Sequence, residues 1–203
     1  MLLPTQLESQ YDQPTHAVIA IAPRRLQRRS RIISAARALA TSGHAAVQIR
    51  NVAARAGVSA STVYRYFASK DDLLVACLHQ WLLEISSRHG DLGLLTGPIE
   101  RVLVVVEKTT RELCAQPVLA DAAVRAYLYA NGDAAENAAL CRNTLASIFI
   151  NALGATRDEH SGLLVDLIAD VWATNVPAII QQRSSVGDLL ERLERAMVAI
   201  NLG

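Results

Sequence analysis

Apolar positions recur every three or four residues along most of the chain, the spacing of amphipathic helices, and no stretch gives a convincing strand. In Ile49 to Ala56, the residues Ile49, Val52, Ala53 and Ala56 fall at i, i+3, i+4 and i+7, so one face must pack inward. Gly57 supplies the permissive backbone that a tight helix-to-helix turn needs. Val58 points back to the same small core, and Ser59 is placed to cap a second helix beginning at Ala60. Val63 and Phe67, four apart, form the buried side of that helix. Ala60, Ser61, Tyr64 and Arg65 face outward, with Thr62 and Tyr66 on the flanks.

The same period marks out the rest of the chain. Ile32, Ile33, Ala36, Leu39 and Ala40 form the stripe of a preceding helix that Gly43 stops. Residues 1–23 are polar at first, and their apolar run Val18 to Ala22 is too short to define an element, so a mostly disordered arm that gains order only near Pro23 or on binding DNA is expected there. Ser69-Lys70-Asp71-Asp72 reads as a capping box with an acidic first turn, opening a helix through Leu73, Leu74, Cys77, Leu78, Trp81, Leu82 and Ile85. That helix fades at Arg88, and the segment GDLGLLTGP reads as a loop. Pro98 starts a helix over Ile99 to Gln116, Pro117 breaks it, and further helices follow over Val118 to Ala130 and Ala134 to Leu153. Arg157 to Arg183, kinked near Pro177, and Asp188 to Ile200 complete an all-α chain of about nine helices. These last two carry more apolar side chains than one inward stripe requires, the mark of a face that a partner buries.

Composition agrees with this reading: 51% hydrophobic but only 4% aromatic residues suit Ala/Leu/Val-rich helices, and 203 residues can bury a core as one or two domains. Charge changes the picture more. The net charge of +1 conceals a block from Arg24 to Lys70 with ten bases and no acid, namely Arg24, Arg25, Arg28, Arg29, Arg31, Arg37, Arg50, Arg55, Arg65 and Lys70. Residues 71–203 hold ten bases against seventeen acids. A solvated charged face mixes signs, whereas a cationic module on a mildly acidic body is the asymmetry of a nucleic-acid-binding head. The three cysteines, Cys77, Cys114 and Cys141, lack metal-ligand spacing and read as small apolar fillers. The start lacks the basic and apolar regions of a secretion signal, and no stretch approaches the length needed to span a bilayer, so a cytoplasmic, nucleoid-associated protein is expected.

A helix short enough for a major groove, small near its N-terminus and rich in hydroxyls and phenols, suits contacts to base edges and phosphates. From Gln48 to Leu74 the run AGVS, T-V-Y-R-Y-F and S-K-D-D-L-L closely resembles the helix-turn-helix signature of the TetR family. The resemblance implies a flexible arm at 1–23, a helix-turn-helix DNA-binding domain at 24–70, and a ligand-binding and dimerisation domain at 71–203. It also implies a homodimer through the two C-terminal helices on a palindromic double-stranded DNA operator, and a fourth helix that carries an effector's message to the head. Arg24, Arg25 and Arg28 are expected along the phosphate backbone or in a minor groove, and Ser59 near the DNA. Ser61, Tyr64 and Arg65 are the expected base readers, with Arg50, Thr62, Tyr66 and Lys70 as phosphate clamps. Family members often have Gly or Lys where Ala60 and Ser61 stand, so base preference does not carry over.

The pocket implied by the family would draw on Val106, Thr109, Thr110, Tyr127, Tyr129, Asn143, Thr144, Trp172 and Asn175, a composition that favours a small apolar effector with few polar anchors. Taken singly, Tyr127 or Trp172 is more often a core aromatic with one hydrogen bond. PVLADAAVRAYLYA and LIADVWATNVPAIIQQR resemble segments of actinobacterial repressors of cholesterol and steroid catabolism, which implies a steroid- or lipid-derived acid or CoA thioester. Eighteen arginines against two lysines fit a GC-rich genome. Five dispersed histidines and the lack of a phosphate-cradling glycine loop argue against an enzyme, and neither cofactor nor metal is expected. Asp166 and Asp170 share a helix face, but no His or Glu partner repeats the pattern. The alternative reading is a ligand-independent architectural DNA binder, which would need the cationic head but not a hydrophobic body of this size.

Overall fold

Helix ends follow the residues whose backbone chemistry demands them. The computed structural model describes residues 16–88, 97–154 and 159–201. Among them are α1 (His16–Ala40), α2 (Ile49–Ala56), α3 (Ala60–Tyr64), α4 (Lys70–Ser87), α5 (Pro98–Cys114), α6 (Pro117–Leu128), α7 (Ala135–Leu153), α8 (Glu159–Ile180) and α9 (Val186–Asn201). Short 3-10 turns at His44–Ala46 and Gly132–Ala134 complete the order, with no strand among the described residues. Pro98 and Pro117 open their helices, where a missing N–H costs nothing. Gly57 ends α2 in the left-handed region at φ 65°, and its freedom from a Cβ makes the turn into α3 accessible.

α4 is apolar nearly all round and is buried accordingly. Leu73, Leu74, Val75, Ala76, Cys77, Leu78, Trp81, Leu82 and Ile85 are all inaccessible, and α1, α6 and α7 pack against them. Arg37 fastens α1 to α4 twice, donating from Nη1 to Glu84 Oε2 at 2.6 Å and lying 5.1 Å from the Trp81 ring centroid. Within the body, Trp172 Nε1 of α8 donates to Thr110 Oγ1 of α5 at 3.0 Å, and that hydroxyl donates to Val106 O at 2.7 Å. Arg101 of α5 caps the end of α7, donating to the carbonyls of Ala152 and Leu153 at 2.7 and 2.8 Å.

Three expectations need correction. α1 begins at His16, so residues 16–23 belong to a helix and not to an arm, while residues 1–15 lie outside the described ones. The apolar run before Pro23 cannot nucleate a helix alone, but extending one already formed downstream avoids the nucleation cost. α3 is only five residues long: Phe67 is buried beyond its end, its N–H bonded to Val63 O at 3.0 Å. Finally, Ser161–Ile180 of α8 is long and apolar enough, by length and composition, to cross a bilayer. Its apolar residues serve a second face besides the core, since Leu163 is 67% exposed and Leu167 41% exposed. The loop expected at 88–98 falls largely on residues 89–96, and the expected start of α8 on 155–158, all outside the described residues.

Candidate nucleic-acid interface

The motif is built from one cap and one turn. Ser59 Oγ accepts the Thr62 N–H at 3.1 Å and lies 2.9 Å from both Ser61 Oγ and Thr62 Oγ1, so three hydroxyls cluster at the start of α3. Val63 and Phe67 turn inward at 0% and 1% exposure. Ser61, Tyr64 and Arg65 are thereby turned to solvent, and Arg50 is exposed on α2. Tyr64 is 57% exposed, a phenol turned largely to solvent.

The basic start of α1 meets this unit. Arg24, Arg25 and Arg28 are exposed, and with Arg65 and Tyr66 they line a groove of about 540 Å³. Four guanidiniums and a phenol, with no carboxylate among the described lining residues, favour an anionic backbone. Lys70 is half-buried at the first position of α4. Its Nζ donates to His44 Nδ1 at 3.1 Å, and the other ring nitrogen, Nε2, lies 2.9 Å from Asp71 Oδ1. Lys70 has three N–H donors, so one spent on His44 leaves others for a phosphate.

Two of the ten bases in the acid-free block do other work. Arg37 is tied to Glu84 and Trp81, as described above. Arg29 donates to Asn137 Oδ1 on α7 at 3.1 Å, with its guanidinium carbon 5.2 Å from the Phe67 ring centroid. His44 reads in the sequence as one of the dispersed histidines, and nothing there signals that it meets Lys70 and Asp71 across 26 and 27 positions.

The residues expected to line an effector pocket fall into several settings. Val106, Thr109, Thr110 and Trp172 are buried between α5 and α8. Thr144 Oγ1 lies 3.1 Å from His79 Nε2, joining α7 to α4. Burial, and then the Arg29 charge, hold the His79 pKa below its ordinary value. Tyr127 is half-buried on α6; burial pushes its phenol up, while Arg142 pulls the other way. Asn175 donates to Val171 O at 2.7 Å and accepts from Arg192 of α9 at 3.0 Å. Asn143 is exposed, and Tyr129 is 79% exposed. Asp170 is exposed and accepts from Arg142 at 3.1 Å.

A family model for bacterial regulatory proteins of the TetR family matches residues 32–77, and a tetracyclin repressor-like C-terminal domain matches residues 96–200. The HTH-type transcriptional repressor KstR of Rhodococcus jostii strain RHA1 is 38% identical over 170 residues, covering 83% of this chain and 80% of that relative. KstR of Mycobacterium tuberculosis strain ATCC 25618 / H37Rv is 33% identical over 208 aligned positions, covering 95% and 93%. A solved TetR transcriptional regulator from Rhodococcus sp. RHA1 superposes with a TM-score of 0.75 at 28% identity, covering 89% of this chain and 98% of its own. The fold also matches the Bacillus subtilis transcriptional regulator FadR, solved in complex with stearoyl-CoA, at a TM-score of 0.56 and 20% identity over 82% and 95% of the two chains. With a helix-turn-helix of this geometry, these domain matches and relatives of this identity, the chain belongs to the TetR family of bacterial transcriptional repressors.

Proposed function

We propose that the chain is a homodimeric repressor that holds a palindromic operator and releases it when a small apolar effector enters the body. In this reading residues 24–70 are the DNA-binding domain, residues 71–203 form the effector and dimer domain, and the protein works on the nucleoid in the cytoplasm, away from any membrane. The observation that carries it is the shared face of Ser61, Tyr64 and Arg65 with the arginine groove of Arg24, Arg25 and Arg28: base-reading and phosphate-binding groups side by side. Leu163 and Leu167, four apart and exposed on α8, and Val198, 42% exposed on α9, offer an apolar face for a second copy. A two-fold axis there would set two recognition helices one DNA turn apart.

For the effector, the favoured class is a steroid- or lipid-derived acid or its CoA thioester. It rests on the likeness of the α6 and α8 segments to steroid-catabolism repressors and on the acyl-CoA held by a protein of the same fold. Val106, Thr109, Thr110, Tyr127, Asn143, Thr144, Trp172 and Asn175 are the proposed lining. The test compares a steroid-acid CoA thioester, stearoyl-CoA and free CoA by thermal shift and by operator affinity. A thioester that raises Tm and weakens operator binding at least about fivefold supports the reading. Intact operator binding with no response to either thioester supports the ligand-independent architectural alternative.

A further inference from the structure

Asp72 is the one carboxylate among the described residues that is buried, at 6% exposure. A buried charge survives only with its lone pairs satisfied. Oδ2 accepts the Ala68 N–H at 2.9 Å, and Oδ1 accepts Asn137 Nδ2 at 2.6 Å. Asn137, on α7 and itself 7% exposed, turns its Oδ1 to accept from Arg29 Nη2 at 3.1 Å. A carboxylate offers only acceptors and a guanidinium only donors, so an amide between them has one orientation that satisfies both. The Arg29 guanidinium then lies over the Phe67 ring at 5.2 Å.

These contacts close a loop. Arg29 grips the ring of Phe67, Asp72 grips the backbone of Ala68, and Asn137 joins the two grips. Phe67 and Ala68 stand three and four residues beyond the end of the recognition helix α3, so their position bears on where its outward face points. The seam beside the loop is open: a groove of about 680 Å³ separates Arg25, Arg65 and Tyr66 from Asp133, Glu136 and Leu140. At this point the hydrogen bonds, and not a continuous apolar interface, hold α7 against the DNA-reading unit.

We infer that Asn137, a residue of the body on α7, is a positioning residue that sets the recognition helix in register and so determines operator discrimination. Its phosphate-binding neighbours Arg24, Arg28 and Lys70 take no part in the loop, so loosening it changes base reading without removing a phosphate contact. The inference rests on the operator-binding reading above, and the preference of the wild-type chain for an operator duplex selected from a random pool is the control that separates the two failures.

The experiment is a swap. Asn137→Asp sets a carboxylate against Asp72, and Asp72→Asn sets an amide donor against Asn137; each breaks one link. The double variant exchanges amide and carboxylate and restores all three hydrogen bonds to Ala68 N–H, between the pair, and to Arg29. Fluorescence anisotropy should show each single variant losing about tenfold in the ratio of operator to random-DNA affinity, with the salt slope unchanged, and the double variant recovering the wild-type ratio. Wild-type ratios in both folded single variants, or a double variant that regains Tm without the ratio, would overturn the assignment.

Discussion

Lys70 Nζ lies 3.1 Å from His44 Nδ1, which places the cation at the start of α4 under the control of a residue from the turn before α2. An ammonium held this way is pre-set for a phosphate and carries no sequence information. Lys70→Ala should weaken binding to all duplexes alike and flatten the salt dependence by about one unit of slope. His44→Ala keeps the charge and loses only the hold, so it should weaken binding less and leave the slope unchanged. Titration of both variants across a salt series checks the pair.

Arg65 is exposed at the end of α3, beside Tyr66 and the arginines of α1. If its guanidinium reads a base edge, Arg65→Ala costs about 1–3 kcal/mol on the operator and little on random DNA. Equal losses on both would reassign it to the phosphate clamps.

His79 gives a pH prediction with a definite sign. Its folded pKa is lowered from the ordinary 6.5 by burial first and by the Arg29 charge second, so the folded chain favours neutral imidazole. The unfolded chain binds the proton more readily, and stability therefore falls as pH drops through the unfolded value. His79→Gln cannot titrate and retains a partner for Thr144, so its Tm should decline less than wild type between about pH 7.5 and about pH 5.5. Parallel thermal melts of the two proteins decide it.

Burial pushes the thiols of Cys77 and Cys141 up to about 12, and their Sγ atoms face the carbonyls of Ile33 and Val75. Cys114 is only half-buried, its thiol raised by burial with Arg111 opposing. Because the thiolate is the reactive form, a thiol reagent at about pH 8 should label Cys114 first and the other two only on unfolding. Peptide mapping of the labelled native protein reads this directly.

Local signals in the sequence were enough to find the motif. Gly57, the cap at Ser59 and the i, i+4 pair Val63 and Phe67 all act within a few residues, and they settle which side chains of α3 face out. Ser69 and Pro98 are legible for the same reason, whereas Pro117, which reads as the break after one helix, opens the next. Long-range partners were not. Arg29 and Arg37 look like their basic neighbours until Asn137, 108 positions away, and Glu84, 47 positions away, come against them. α1 reached back to His16 because helix extension depends on what already stands downstream. α8 carries two apolar faces, which periodicity alone cannot divide between core, partner and membrane.

Whether a dimer reads DNA through α3 is decided by selecting duplexes from a random pool with the purified chain and sequencing what it retains. Enrichment of one palindromic site with half-sites about one helical turn apart, bound by two copies of the chain, is expected. Retention of DNA without any sequence preference, or of a single unpaired half-site by one copy, would contradict it.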